Sequence, residues 1–401
     1  MSLRVLQIVP SISLVYGGPS QMVRGFSQAL AQAGSEVTVL TTDSNGDSGQ
    51  APLDVPLNQP VEQDGYRVRY FRCSPFRRYK FSVDLLRWLS QNAQNYDIAH
   101  IHALFSPIST AAATVARQKN LPYILRPLGT LDPADLAKKK RLKQLYGQLL
   151  ERPNLAGAAA IHFTSPLEAE VSHRFGVATT DWVIPLGVDP QPSLSRAEQD
   201  QVLDALQVPR DRPIVLFLSR LDPKKGLDLL IPALAQVAQA DRPFHLVLAG
   251  DNPQDPAYKQ AIEQQIQTLG LAKRTTMTGF VRGAQKQALL QAAALFVLPS
   301  YYENFGIAVA EAMLAGLPVV ISNGVYIWPD IVAGEAGWVC DLSVDGIAGA
   351  LQESLQSPDQ RKLRGQQAQR YAQTHYRWDA IAKQTLAAYD QVLPRRGDGS
   401  R

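Results

Sequence analysis

Short apolar runs alternate with segments of helical periodicity along most of this 401-residue chain, and this alternation constrains the fold more than any other feature. Continuous apolar strands separated by helices are typical of a parallel β-sheet that is covered on both faces. The first half therefore predicts a Rossmann-like α/β domain. Its predicted strands span residues 3–9, 37–42, 98–102, 123–126, 159–163 and 182–184, with a first helix over 20–33 and a polar loop over 45–64.

The alternation is interrupted by a stretch rich in proline and then begins again. Pro185, Pro190, Pro192 and Pro209 precede a new apolar run at 214–218. We interpret this stretch as a boundary, because a chain of this length can bury two hydrophobic cores whose sheets share a crevice at their carboxyl strand ends. The predicted division is residues 1–190, residues 191–375, a helix over 376–393 that packs back on the first domain, and a disordered tail over 394–401; further strands are expected at 246–249, 275–278, 295–299 and 319–322.

Composition excludes several classes of protein. The hydrophobic fraction of 45% and the charged fraction of 19% are those of a folded globular protein. A net charge of +4 is too weak to indicate nucleic-acid binding. The two cysteines, Cys73 and Cys340, suggest neither a disulfide framework nor a zinc site. Because no signal peptide and no bilayer-length apolar run is recognisable, we expect a soluble cytoplasmic protein.

Two clusters of basic residues stand out against this weak net charge. Such clusters are usually solvated, and the alternative is contact with an anionic membrane surface or a phosphate-bearing acceptor. The second reading would place the protein peripherally at the inner face of the plasma membrane. The clusters are Arg72, Arg77, Arg78 and Lys80, interleaved with Phe76, Tyr79 and Phe81, and Lys138, Lys139, Lys140, Arg141 and Lys143.

Residues 295–322 predict a strand, a loop, a helix that opens near Gly306 and closes at Gly316, and a second strand. The start of a helix offers unpaired N–H groups and a positive dipole end to a phosphate, and glycine lets a ligand approach the backbone. Glu303 in the loop and Glu311 in the helix can accept hydrogen bonds from sugar hydroxyls. Glu311 suits vicinal ribose hydroxyls beside the phosphate.

A second segment places cations at a strand end. Arg220 follows the strand at 214–218, and Lys225 precedes the glycine that opens the next helix. Cations are unfavourable at a helix start, which favours a bound anion such as a pyrophosphate leaving group. Lys224 is the rival to Lys225 for this role. In the first half, residues 98–102 place His100 and His102 on the same side of a strand.

The phrase from Glu303 to Ile307, followed by Glu311, resembles the signature of retaining glycosyltransferases of family 4, also called glycosyltransferase group 1, of exopolysaccharide type. That family has the GT-B fold, with two facing Rossmann-like domains and a central cleft. The resemblance implies that His102, Arg220, Lys225 and Glu303 are catalytic. It further implies donor contacts by Gly17, Gly18, Arg220, Lys225, Gly279, Phe280, Val281, Glu303, Asn304, Phe305, Gly306, Ile307 and Glu311, and acceptor contacts by Tyr16, Arg126, Leu128 and Asp132.

The resemblance also implies a reaction. A hexose passes from a nucleotide diphosphate sugar to a saccharide or lipid-linked saccharide, in polysaccharide or glycoconjugate biosynthesis. The leaving diphosphate accepts the proton of the incoming hydroxyl on the same face, without a cofactor. No Asp-x-Asp phrase suggests a bound metal ion.

Two positions depart from the family pattern. Leu128 stands where relatives commonly have His, and Leu186 where they often have Asn, so the acceptor side is less well specified than the donor side. Two other functions stay open: a nucleotide-sugar epimerase of the same architecture, and a non-catalytic binder of sugar nucleotides. An epimerase would need an acid/base set that the sequence does not reveal.

Overall fold

The computed structural model describes residues 2–46, 50–74, 80–190, 192–253 and 255–393. The chain forms two compact units, which divide after Gly187 and after Tyr376, where the sequence predicted boundaries at 190 and 375. Residues 377 onward belong to the first unit. The predicted tail and the cluster members Phe76, Arg77, Arg78 and Tyr79 lie outside the described residues.

The first unit is built on a sheet of eight strands. They are β1 (Arg4–Ile8), β2 (Glu36–Thr42), β3 (Pro60–Gln63), β4 (Tyr66–Phe71), β5 (Ile98–His102), β6 (Tyr123–Arg126), β7 (Ala160–Phe163) and β8 (Asp181–Val183). Their order is β3-β4-β2-β1-β5-β6-β7-β8, and every pairing except β3 with β4 is parallel. Every residue of β5, β6 and β7 is buried, as a sheet covered on both faces requires.

The predicted polar loop at 45–64 was wrong in its last part, because β3 lies there. Strand β3 pairs antiparallel with β4 at the sheet edge and alternates between exposed and half-buried residues. It begins at Pro60, a residue that sheets tolerate at an edge. Asp64 and Gly65, both with positive φ, form the turn between the two strands. An edge strand of this kind has no apolar run. The search for apolar runs, which predicts buried strands, therefore did not predict β3.

Helices cover this sheet. Those that precede the second unit are α1 (Gly18–Gln32), α2 (Val83–Asn92), α3 (Pro107–Gln118), α4 (Pro133–Ala137), α5 (Lys140–Tyr146), α6 (Arg152–Gly157) and α7 (Pro166–Val171). A π-helical turn over Gly147–Glu151 joins α5 to α6.

The second unit contains six parallel strands in the order β11-β10-β9-β12-β13-β14. They are β9 (Ile214–Leu218), β10 (His245–Ala249), β11 (Thr275–Gly279), β12 (Leu295–Leu298), β13 (Val319–Ser322) and β14 (Gly337–Cys340). This is the strand order of the Rossmann fold, and the order reverses between β9 and β12. Its helices are α8 (Arg196–Ala205), α9 (Leu227–Gln239), α10 (Pro256–Thr268), α11 (Ala284–Ala292), α12 (Ile307–Leu314), α13 (Trp328–Ala333), α14 (Val344–Gln356) and α15 (Pro358–His375).

The last helix, α16 (Trp378–Val392), packs on the first unit, as the sequence predicted. The indole of Trp378 occupies space left by two glycines: a Cβ on Gly25 would lie 2.6 Å from it and a Cβ on Gly187 would lie 2.1 Å from it. The hydroxyl of Tyr389 lies 2.7 Å from Nδ1 of His100 in β5. Among the described residues, no helix combines the length and the apolar character needed to cross a bilayer.

Candidate functional site

The loops that follow β9 and β12 meet where the strand order of the second unit reverses. Ligands of open parallel sheets bind at such switch points, beyond the carboxyl ends of the strands. The N–H of Tyr301 donates to the carbonyl of Lys224 over 2.8 Å and joins the two loops. Gly226, at the start of α9, has φ +71°, and a Cβ there would lie 2.0 Å from the carbonyl oxygen of Pro299. Only glycine fits this contact between the loops.

An ion pair between Lys225 and Glu303 lies at this junction. The two side chains are only 9% and 18% exposed. Burial raises the pKa of the Glu303 carboxyl, but nearby positive charges, led by Lys225, hold that pKa below its ordinary value. Lys224 and Arg220 add to the same effect. The structure thus brings together three residues that the sequence singled out: Arg220, Lys225 and Glu303.

The neighbouring cations differ in their surroundings. Arg220 is exposed, and within the described residues its guanidinium makes neither a hydrogen bond nor an ion pair. The ammonium of Lys224 lies 5.4 Å from the centre of the Tyr302 ring. Lys225, by contrast, is buried against Glu303. Of the two adjacent lysines, Lys225 is therefore the one directed into the junction.

Helix α12 begins at Ile307, shortly after Glu303 in the sequence. Gly306 has φ +73° and precedes Ile307, the first residue of the helix, and Ala315 follows its last residue. The first N–H groups of a helix have no partner within it and form an anion-binding end. Phe305 is buried 5.1 Å from the ring of Tyr376, so its side chain is part of the core.

A turn after β13 holds the Glu303 backbone in place, and sequence reasoning did not predict it. The N–H of Glu303 donates to the carbonyl of Gly324 over 2.9 Å, and the N–H of Tyr326 donates to the carbonyl of Glu303 over 2.8 Å. A Cβ on Gly324 would lie 2.4 Å from the carbonyl oxygen of Ser300. The glycine is needed because the two backbones approach each other so closely.

Glu311 pairs with a lysine that sequence reasoning missed. Nζ of Lys286, on α11, lies 2.6 Å from Oε1 of Glu311, and both side chains are about one-fifth exposed. No local pattern marks Lys286, since it lies on a separate helix. The Glu311 carboxylate is thus paired with the Lys286 ammonium, and both groups are partly exposed to solvent.

The end of β11 reaches the same edge of the sheet. The N–H of Gly250 donates to the carbonyl of Gly279 over 2.8 Å, and a Cβ on Gly250 would lie 1.9 Å from the carbonyl oxygen of Ser219. Phe280 is 73% exposed, whereas Val281 is buried. The ends of β9, β10 and β11 are therefore close-packed, and an aromatic ring extends into solvent beside them.

In the first unit, a glycine pair follows β1. Gly17 has φ +71° and ψ −131°, a combination that only glycine adopts readily, and Gly18 is the first residue of α1. The Tyr16 hydroxyl lies 2.9 Å from Oγ of Ser44, and its ring lies 4.5 Å from Nζ of Lys80. Tyr16, Gly17 and Gly18 are half-buried.

His102 is fully buried beside two other histidines. Its Nε2 lies 2.7 Å from Oε1 of Gln7, and its ring stacks on that of His100 at 4.9 Å. His162 donates from Nε2 to the carbonyl of Ile184, so its Nδ1 accepts from His100, whose Nδ1 in turn accepts from Tyr389. Burial lowers the pKa of all three histidines well below the ordinary value of 6.5. The sequence placed His100 and His102 together but missed His162.

The predicted acceptor residues do not share one environment. Arg126 is 1% exposed, its Nη1 lies 3.0 Å from Sδ of Met22, and burial lowers its pKa to about 10. Asp132 caps α4 by accepting from the N–H of Ala134 over 2.8 Å. Leu128 is half-buried with φ +55°, a backbone conformation that is unusual without glycine.

Within the residues that the structure describes, no group of three or more His, Cys, Asp or Glu side chains is placed to hold a metal ion. Independence from metal stays a prediction.

Comparison with protein families covers most of the chain. Residues 17–187 match the family described as Glycosyl transferase 4-like domain, and residues 198–371 match the family described as Glycosyl transferases group 1. An uncharacterized glycosyltransferase of Methanocaldococcus jannaschii is 31% identical over 96% of this chain and 96% of its own length. A D-inositol 3-phosphate glycosyltransferase of Xylanimonas cellulosilytica is 28% identical over 95% and 93%.

Solved structures share the fold. Sucrose-phosphate synthase from Thermosynechococcus elongatus superimposes with a TM-score of 0.74 at 23% identity, covering 97% of this chain and 99% of the other. The Anabaena protein HepE, in complex with UDP and glucose, gives a TM-score of 0.74 at 21% identity, covering 97% and 100%. These likenesses confirm the predicted GT-B class, with two parallel-sheet α/β units.

Proposed function

Because the chain belongs to the group 1 glycosyltransferases of family 4, we propose that it is a retaining hexosyltransferase that uses a nucleotide diphosphate sugar. The observation that carries this proposal is the Lys225–Glu303 pair at the switch point of the second unit, beside the start of α12. A cation, a carboxylate and a helix N-terminus there suit a diphosphate joined to a sugar.

The proposed leaving group is the nucleoside diphosphate. Arg220, Lys225 and the N–H groups at the start of α12 stabilise the negative charge that develops as the bond from the anomeric carbon to the phosphate oxygen breaks. The acceptor hydroxyl forms the new bond on the same face of the sugar, and its proton passes to the departing phosphate oxygen. This route retains the anomeric configuration and assigns no step to a metal ion.

The two glutamates have separate proposed roles. Glu303, ionised because its pKa is held low, accepts hydrogen bonds from hexose hydroxyls, while Asn304 to Ile307 contact sugar and phosphate. Glu311, beyond the first turn of α12, accepts from ribose hydroxyls. Gly279, Phe280 and Val281 hold the base, and the exposed Phe280 ring offers it an apolar surface.

The first unit supplies the other proposed contacts. Gly17 and Gly18 contact the donor, and Tyr16 and Leu128 face the acceptor. The burial of His102 and Arg126 and the capping role of Asp132 support structural roles for those three residues instead. The proposed acceptor is a saccharide or lipid-linked saccharide of polysaccharide or glycoconjugate biosynthesis, at the cytoplasmic face of the membrane.

A panel of nucleotide sugars tests the donor. We expect a UDP-hexose to raise the melting temperature more than GDP-, ADP- or TDP-sugars, since HepE was solved with UDP and glucose and only a ligand of the native state stabilises it. No shift with any member of the panel would contradict the proposal.

Product analysis separates the alternatives. Retention at the anomeric carbon, read by NMR of the transferred sugar, supports the proposed route, and inversion contradicts it. An epimerase would instead convert the donor to its isomer without an acceptor, and a non-catalytic binder would leave it unchanged. Full activity after treatment with EDTA is expected, because the cations of Arg220 and Lys225 take the place of a metal ion.

A further inference from the structure

The helical segment that begins with α5 exposes a row of leucines. Leu142, Leu145 and Leu149 are 63%, 60% and 65% exposed, and Leu150, next to the last of them, is 46% exposed. Spacings of three and four residues place the first three on one side of a helix. Scattered apolar residues are ordinary at a protein surface, but a contiguous row marks an interaction site.

The inner side of the same segment is fixed to the first unit. The Tyr146 hydroxyl donates to Oγ1 of Thr110 over 2.8 Å. A Cβ on Gly147 would lie 2.3 Å from the Phe175 ring, so the backbone is packed tightly there. Nζ of Lys143 lies 2.6 Å from Asp135. With the inner side occupied, the leucines cannot turn inward.

An irregular turn keeps the segment continuous. The α-helical pattern changes to a π turn over Gly147–Glu151, just before Pro153. Proline lacks an N–H, and its ring would meet the carbonyl four residues earlier, which is that of Leu149. The π turn accommodates this residue without ending the helix. The leucines on both sides of the change therefore belong to one helical surface.

Unpaired cations lie beside the leucines. Lys139 and Arg141 are exposed. In the part of the chain that the structure covers, their side chains form no ion pair or hydrogen bond. A row of leucines bordered by free cations matches an anionic bilayer, whose phosphates lie above an apolar layer. A soluble apolar partner would satisfy the leucines but would leave both cations without counter-charges.

We propose that the outer face of residues 139–150 is a docking surface for an anionic lipid bilayer. Leu142, Leu145 and Leu149 enter the boundary of the acyl region, and Lys139 and Arg141 lie at the level of the lipid phosphates. The proposal gives a location to the membrane contact of the proposed function. It does not depend on the transferase chemistry.

Co-sedimentation with vesicles tests the surface. We expect wild-type protein to bind vesicles of phosphatidylcholine and phosphatidylglycerol at least about tenfold more tightly than vesicles of phosphatidylcholine alone. Changing Leu142, Leu145 and Leu149 together to Gln should weaken this binding by about tenfold or more. Changing Lys139 and Arg141 together to Gln should weaken it similarly and remove most of its dependence on salt.

Helix α15 of the second unit supplies the matched control. Leu363 there is 45% exposed, and Lys362 and Arg370 are exposed beside it. Their joint replacement by Gln should leave vesicle binding unchanged. Thermal melting of every variant checks the fold, and the shift caused by the donor should persist in all of them. Failure of docking is thereby distinguished from failure of the proposed donor site.

Three results would overturn the proposal. The first is wild-type binding by the leucine variant. The second is equal binding to vesicles with and without phosphatidylglycerol. The third is absence of vesicle binding by the wild-type protein; a dimer in sedimentation equilibrium that the leucine variant cannot form would then assign the surface to a second copy of this chain.

Discussion

Adjacent lysines after β9 differ in what surrounds them, and the difference assigns one of them to the junction. Lys225 is buried against Glu303, while Lys224 lies over the ring of Tyr302. A buried cation that faces a single carboxylate is costly to leave unpaired. A bound diphosphate would add negative charge beside Arg220 and Lys225, whose positive charges would stabilise it.

Replacement of Lys225 by Ala should lower kcat/KM for transfer by about 10²- to 10³-fold, because one fixed group that stabilises the leaving charge is lost. Arg220→Ala should act in the same way. Lys224→Ala is the matched control and should change the rate only a few-fold. Steady-state kinetics with the best donor provides the measurement, and melting curves check the fold. Near wild-type turnover in Lys225→Ala would remove this lysine from the mechanism.

Substitution of two glycines that have the same φ separates two contributions to the loss of stability: backbone conformation and steric crowding. Gly226 and Gly270 both have φ +71°, but only Gly226 lies against another backbone, at Pro299. Gly270→Ala should cost about 1–2 kcal/mol from conformation alone. Gly226→Ala should cost about 3 kcal/mol or more, because its Cβ meets a carbonyl oxygen. Denaturant unfolding measures both, and equal costs would show that the contact with Pro299 is loose.

At the scale of elements, three buried histidines connect β5, β7 and α16. Nδ1 of His100 accepts a hydrogen bond from the hydroxyl of Tyr389 in the last helix. Nε2 of His100 lies 3.2 Å from Nδ1 of His162 in β7. Every one of these rings is neutral in the folded state, because burial lowers its pKa. The unfolded chain has histidines of ordinary pKa, near 6.5. Below that pH the unfolded state binds more protons than the folded state.

Stability should therefore fall as pH drops below about 6.5, by up to about 1.4 kcal/mol per pH unit for each of the three histidines. Buried Glu151 and Glu168, whose pKa burial raises, act in the opposite direction. A comparison of variants isolates the histidines: His162→Asn should reduce the slope of unfolding free energy against pH by about 1.4 kcal/mol per unit. Replacement of the exposed His375 is the control. An unchanged slope in His162→Asn would contradict the role of burial.

Elements with a strong local pattern could be predicted, and those that depend on distant partners could not. The strands at 98–102, 123–126, 214–218 and 319–322 have the predicted bounds, because each is a short and mostly apolar run. Strand β3 was missed since an edge strand needs no such run. The predicted donor-side residues Arg220, Lys225 and Glu303 do lie together, whereas Lys286 and His162 reach their partners only through tertiary packing.

At the scale of the whole molecule, each unit has its own core, and the chain returns to the first through Trp378. Trp378→Ala should destabilise the first unit by about 2–4 kcal/mol, since it empties the space beside Gly25 and Gly187. The melting transition of the second unit, and its upward shift with the donor, should stay as in the wild type. Trp328→Ala, in the second unit, is the reciprocal control. Calorimetry follows both transitions, and a loss of the donor shift in Trp378→Ala would contradict this separation.

The return of the chain at residue 377 also sets an order for folding during synthesis. Residues 188–376 form a unit that is continuous in sequence, so it can complete its fold as soon as it has left the ribosome. The first unit is made earlier but lacks Trp378 and Tyr389, which fill its space and supply the donor to His100. Although domains generally fold in the order of synthesis, here the part that is made first is finished last.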